Sequence, residues 1–246
     1  MTAAVLSVVV PAHNSGRLID ATAARLADRL RGTEAEVIVV ENGSTDDTWE
    51  RCTKLMSEWD VPAVRFHAIQ SERGMGRALR AGVLASSGAH VLLTADDLPF
   101  GFDDLDGFER VRARDGAAPR FLVGSKAHPE SVVQRGMKRG VMTWAFSTLC
   151  RVVLGMRTRD PQGTLLVDGG LARRLCESAG EERFLFSTEL VHMAEKAGVY
   201  PVEVPVRLAD DHMAHASRVS LSDVGAMAFG LLRLRLRHRR LGRVVS

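Results

Sequence analysis

Residues 5–48 read VLSVVVPAHNSGRLIDATAARLADRLRGTEAEVIVVENGSTDDT. Val5–Val10 is a β-branched apolar run ending at Pro11, and Glu36–Val40 is a second such run. Between them, Gly16–Arg31 carries Leu18, Ala21, Leu26 and Leu30 at helical spacing, so the stretch reads strand, helix, strand. Nearly continuous apolar strands joined by a helix of this length imply a parallel βαβ unit with both sheet faces covered. Working outward, the alternation continues. A helix is expected from about Asp46 to Trp59, a strand over Val64–Ile69, a helix over Met75–Ala85 and a strand over His90–Thr94. The expected fold class is α/β with a mostly parallel central sheet.

Composition agrees with a folded domain. The chain has 246 residues, 46% of them hydrophobic and 26% charged, and that length suits one large domain or two small ones. Three widely spaced cysteines (Cys52, Cys150 and Cys176) with no CxxC pair argue against a disulfide framework or a zinc site and fit a reducing compartment. Met1–Val10 has no basic region, so no signal peptide is expected. The longest apolar stretch, Val141–Met156, is broken by Arg151 and falls short of the roughly 18–20 residues of a spanning helix. The net charge is +3, but from Met213 onward seven arginines stand against one acid, Asp223. Such a tail is either a solvated basic terminus or a surface for an acidic partner: phosphates, an anionic membrane or, less favoured, nucleic acid.

In open parallel sheets ligands bind beyond the carboxyl ends of the strands. Three polar turns fall there: Pro11, Ala12, His13 and Asn14; Glu41, Asn42, Gly43 and Ser44; and Thr94, Ala95, Asp96 and Asp97. One such turn is usually a helix N-cap, and Asp46 suits that role as well as a ligand contact. Three on one sheet edge point to a shared site. Arg73-Gly74-Met75-Gly76-Arg77 opens a helix, where glycines permit close backbone approach and the helix N-terminus favours anions.

VVVPAHN, VIVVENGSTDDT, RGMGRALRAG and LLTADD, in this order and spacing, resemble family 2 glycosyltransferases of the GT-A fold. Further on, VGSKAHPESVVQRGMKRG, RDPQGT, FLFSTEL and HASRV resemble the branch that makes polyprenyl-phosphate sugars, and the likeness covers residues 5 to about 235. The resemblance implies a GT-A-like, Rossmann-like three-layer domain over 1–246, with a nucleotide-sugar half of about 1–115, an acceptor half of about 116–246 and a C-terminal amphipathic helix. It puts Pro11, Ala12, His13, Asn14, Glu41, Asn42 and Asp46 beside the nucleoside of a UDP-sugar, with Arg73, Gly74 and Arg77 in the glycine-rich segment. Asp96, with Asp97 beside it, takes the place of the family's Asp-Ala-Asp ligands for Mg2+ or Mn2+, and Thr94 stands where the first Asp would be. Ser217 and Arg218 match a pair that touches the donor diphosphate.

On the acceptor side Lys126 stands for an arginine in Gly-Ser-Arg. Arg135 and Arg139, four apart on a helix expected over about Ser131–Leu154, suit an acceptor phosphate or a solvated basic face. The apolar part of that helix fits a membrane interface or the core equally well. Asp160 and Glu189 are the acids left for catalysis, needed as a base if the acceptor is a hydroxyl. His212 and His215 read as metal ligands or as a polar loop. The expected activity is inverting transfer to a polyprenyl phosphate, by a cytoplasmic protein that touches the inner face of an anionic membrane. A soluble hydroxyl acceptor, as in secondary metabolism, is the second expectation, and a non-catalytic nucleotide-binding relative the third.

Overall fold

The computed structural model describes residues 5–133, 137–208 and 221–238. In chain order it runs β1 (Leu6–Ala12), α1 (Ile19–Leu30), β2 (Ala35–Glu41), α2 (Thr48–Glu58), β3 (Val64–Gln70), α3 (Met75–Ala85) and β4 (His90–Leu93). Then come α4 (Asp103–Asp115), β5 (Phe121–Ser125), α5 (Met137–Leu149) and a π-helical turn over Cys150–Leu154. The remainder is β6 (Thr164–Asp168), α6 (Gly169–Ser178), α7 (Phe186–Lys196), β7 (Val202–Pro205) and α8 (Leu221–Arg237).

The chain packs as two compact units, Met1–Leu98 with Thr164–Phe186, and Pro99–Gly163 with Ser187–Ser246. In the first, the strands lie in the order β3-β2-β1-β4-β6. The first four run parallel, with Val8 opposite both Val37 and Leu92, whereas β6 is antiparallel to β4. Every residue of β2, and all of β1 beyond Leu6, is buried, as strands covered on both faces require. Helix α3 packs on β1 and β2, and α2 packs on β2 and β3. Two polar residues inside these strands satisfy each other: Ser7 Oγ donates to Glu36 Oε1 at 2.6 Å, and Ser87 N donates to the same oxygen at 2.6 Å. Burial opposes the Glu36 charge, but these bonds and the Arg65 guanidinium outweigh it and hold the carboxyl below its ordinary range.

In the second unit β5 pairs parallel with β7, α4 packs on both, and the π turn packs against α5 and α8. All three cysteines are buried free thiols, and burial pushes Cys52 and Cys150 up to about 12. No helix among the described residues is long and apolar enough to cross a membrane.

The α/β expectation holds, and Met75–Ala85 is a helix over the expected span. Three details differ. Strand β1 continues through Pro11 to Ala12, because Pro11 is trans and its missing donor costs nothing at a strand's end. Helix α1 starts at Ile19 and buries Ile19, Thr22, Ala23, Leu26 and Leu30. Leu18 and Ala21 are therefore turned outward, one position out of phase with the expected stripe. The long helix expected over about Ser131–Leu154 is α5 from Met137 followed by the π turn, which ends at Gly155 in the left-handed conformation.

Candidate active site

Within the first unit, the carboxyl ends of β1, β2 and β4 are tied into one rim. Asn14 sits at φ 53°, a conformation asparagine tolerates well, and its Oδ1 accepts from Thr45 N at 2.8 Å. The Asn42 carbonyl can only accept, so His13 Nδ1, 3.0 Å away, carries the hydrogen. Asn42 is buried; its Nδ2 donates to the Ala12 carbonyl at 2.8 Å and its Oδ1 accepts from Gly74 N at 3.3 Å. That side chain thus joins the end of β1 to the glycine-rich segment. Glu41 is also buried, accepting from Ser44 N at 2.5 Å and from Gln70 Nε2 at 2.9 Å. Burial opposes its charge, and those bonds outweigh the penalty and hold its carboxyl below the ordinary range. Asp46 accepts from the Thr48 hydroxyl and from Gly16 N, and these bonds lower its pKa. It therefore locks the start of α2 to the loop after β1.

Asp96 lies half-buried just past β4, in a turn closed by Leu98 N donating to the Ala95 carbonyl at 3.2 Å. Asp96 and Asp97 thus occupy a turn just past β4. Ser15 Oγ donates to Asp96 Oδ2, and Thr22 Oγ1 donates to the Asp96 carbonyl. The serine and the carboxylate join the β1 loop to the β4 loop. A carboxylate that accepts from a hydroxyl keeps an all-oxygen, anionic donor set, which is what Mg2+ or Mn2+ selects. No group of three or more His, Cys, Asp or Glu able to hold a metal occurs among the described residues. A cation here would take Asp96, with Asp97 adjacent, and complete its shell from diphosphate oxygens and water. The residues present fit that kind of open site.

Gly74 and Gly76 are needed for a reason the sequence does not disclose. A Cβ on Gly76 would lie 2.7 Å from both the Glu181 carbonyl oxygen and the Glu182 carbonyl carbon. A Cβ on Gly74, at φ 145°, would lie 2.5 Å from the Glu182 oxygen. The backbone that closes on these glycines is the chain's own segment after α6. Arg77 ion-pairs with Glu72 and with Glu182, the latter at 2.7 Å, while Arg73 is exposed and makes no ion pair among the described residues.

The second unit holds its own cluster. Lys126 Nζ lies 2.8 Å from Asp160 Oδ2 and 5.2 Å from the centre of the Phe100 ring, and Lys126 N donates to the same Asp160 oxygen at 2.8 Å. Glu203 accepts from Ser125 Oγ at 2.7 Å and from the backbone of Arg159 and Asp160, each at 3.2 Å. Glu195 likewise accepts from the backbone N–H groups of Arg157 and Thr158. Two carboxylates therefore pin the backbone from Arg157 to Asp160, where the RDPQGT loop begins. Glu189 is fully buried in α7; His238 Nε2 donates to it at 2.6 Å and Arg237 Nη1 at 3.2 Å.

Arg135, Ser217, Arg218, His212 and His215 lie outside the described residues, and of Arg139 only its helical backbone position is described. Glu203 and His238, which hold the second unit's acids and the loop beside them, are not among the residues expected from the sequence. Each lies far along the chain from the acid or loop it holds, so no spacing signals it.

Residues 7–107 match the Glycosyl transferase family 2 domain, and the chain belongs to that family. Among curated relatives, the dolichyl-phosphate beta-glucosyltransferase of Drosophila melanogaster is 31% identical over 215 residues, spanning 82% of this chain and 66% of that protein. The same-named protein of Saccharomyces cerevisiae is 27% identical over 251 residues, spanning 94% and 74%. The fold matches glucosyl-3-phosphoglycerate synthase from Mycobacterium tuberculosis, solved with Mn2+, uridine diphosphate and glucosyl-3-phosphoglycerate. That match has TM-score 0.63 at 20% identity and covers 95% of this chain and 80% of the other. The same enzyme was also solved with Mg2+ and uridine diphosphate. This likeness confirms the GT-A-like α/β fold.

Proposed function

We propose that this chain is an inverting glycosyltransferase that moves a sugar from a UDP-sugar to a polyprenyl phosphate. The observation that carries the donor half of the reading is the rim in which Ser15 joins Asp96 and Asn42 joins Ala12 to Gly74. It holds three loops at the carboxyl ends of neighbouring strands, where a nucleotide binds in such sheets. Pro11, Ala12, His13, Asn14, Glu41, Asn42 and Asp46 would take the nucleoside, and Arg73, Gly74, Arg77, Ser217 and Arg218 the phosphates and sugar. Asp96, with Asp97, would hold Mg2+ or Mn2+, which supplies Lewis-acid neutralisation of charge on the departing diphosphate.

The relatives' names favour a polyprenyl phosphate as acceptor, with Lys126, Arg135 and Arg139 as its candidate partners. Such an acceptor is already an anion. It attacks the anomeric carbon opposite the departing diphosphate in one displacement, which inverts configuration and needs no strong base. The condition of the two acids supports this choice over a neutral hydroxyl. Asp160 is buried against Lys126, and Glu189 is buried against His238 and Arg237. Carboxylates held this way orient loops and helices well and remove protons poorly. The reading places the protein on the cytoplasmic side, at the inner face of a membrane.

The donor half is tested by thermal unfolding with uridine diphosphate and Mn2+. A ligand at about 100 times its Kd stabilises the native state by roughly 2.7 kcal/mol. Asp96→Ala is expected to keep a metal-independent shift and lose the metal-dependent part. A full metal-dependent shift in that variant would take Asp96 out of the metal site.

A further inference from the structure

Helix α8 is apolar on two opposite sides. Leu231, Leu234 and His238 are buried, and the helix packs against the π turn and α5. At about 100° per residue, Leu232, Leu236 and Phe229 fall within an arc of about 60° on the other side. There Phe229 is 67% exposed and Leu236 63%. Arginines flank this outer stripe: Arg233 and Arg237 along one edge, Arg235 along the other. Arg235 reaches across to the π turn, donating from Nη1 to the Val153 carbonyl at 2.9 Å, beside Val152, which is 70% exposed. Val152, Lys196 and Arg235 also line a surface cavity of about 320 Å³. Trp144, at 69% exposure, lies two turns before Val152 along the helix that runs into the π turn.

A soluble surface rarely gathers large apolar side chains this way, and a rim of guanidiniums around them selects the partner. We propose that the outer face of α8, with Val152 of the π turn, docks onto an anionic membrane. Phe229, Leu232 and Leu236 would enter the boundary between headgroups and acyl chains. Arg233 would snorkel to a lipid phosphate while Arg237 stays on Glu189, and the Lys196–Arg235 cavity would receive a headgroup. The charge complementarity extends beyond this helix, since the chain from Met213 on has seven arginines and one acid. This docking face rests on the lipid-acceptor reading above, for it would bring the second unit to where a polyprenyl phosphate is found.

The test is co-sedimentation of the full chain with phosphatidylcholine vesicles containing, or lacking, about a third of phosphatidylglycerol, with no donor or acceptor present. The wild type is expected on the anionic vesicles only and to be released by about 0.5 M salt, because exposed charges are screened. Phe229→Ser/Leu236→Ser is expected to bind roughly tenfold less, since each lost insertion forfeits apolar burial, while its uridine diphosphate thermal shift is unchanged. Lys196→Gln is expected to weaken anionic binding alone. Equal binding by the double variant would assign attachment to charge elsewhere in the chain and overturn the proposal. So would a wild type that ignores anionic vesicles, or one that dimerises through this face and loses the dimer in the double variant. Because no sugar transfer is read, failure here leaves the acceptor assignment to its own assay.

Discussion

At the scale of single residues, the two acids that read as catalytic in the sequence, Asp160 and Glu189, are each held against basic side chains in the fold. Asp160 accepts from both the backbone N–H and the ammonium of Lys126. A buried carboxylate that loses its cation is left with much of its desolvation cost unmet. Lys126→Met is expected to lower stability by on the order of 2 kcal/mol, less than for a fully buried pair because the lysine keeps some solvent contact. Lys126→Met/Asp160→Asn should recover most of that loss. Urea unfolding of the two single variants and the double variant measures the coupling, and additive losses would show the pair to be independent. The residue types were legible in the sequence, since acids and amides after strands announce a polar rim. Their partners were not. Ser15 reaches Asp96 across 81 positions and His238 reaches Glu189 across 49, separations at which no local pattern survives.

At the scale of elements, α7 and α8 are linked through a buried histidine pair as well as through Glu189. His192 on α7 lies 6.2 Å, centroid to centroid, from the His238 ring. Burial, reinforced by His238 and Lys196, pushes the His192 pKa down from 6.5 to about 4, against the opposing pull of Glu195 and Glu189. The unfolded chain therefore takes up a proton near pH 6.5 that the folded chain accepts only near pH 4. Stability must then rise with pH between about 4 and 6.5 and level off above, by on the order of 3 kcal/mol from this group. His192→Leu is expected to flatten that rise, read as the urea midpoint at pH 4.5 and pH 7. An unchanged slope would assign it to other groups. Strands and helices up to β4 were readable because each is a local run with its own period. The π turn after α5 was not, because a change from α to π winding leaves no mark of its own in the stretch VMTWAFSTLCRVVLGM.

At the scale of the whole molecule, the two compact units are not continuous in the chain. The first unit ends at Leu98 and regains Thr164–Phe186. A returning strand is invisible to local pattern: β6 pairs antiparallel with β4, and only long-range register, Val91 opposite Val167, reveals it. Sugar transfer from a UDP-sugar to a lipid phosphate is the reaction proposed for this chain. It is tested most directly by incubating the full chain with labelled UDP-glucose, Mg2+ or Mn2+, and a polyprenyl phosphate in detergent, then counting label in the organic phase. Metal-dependent, alkali-stable transfer is expected, falling at least a hundredfold in Asp96→Ala, the loss of roughly 3 kcal/mol of transition-state stabilisation. No transfer to any polyprenyl phosphate, alongside clear transfer to a neutral hydroxyl acceptor, would contradict it.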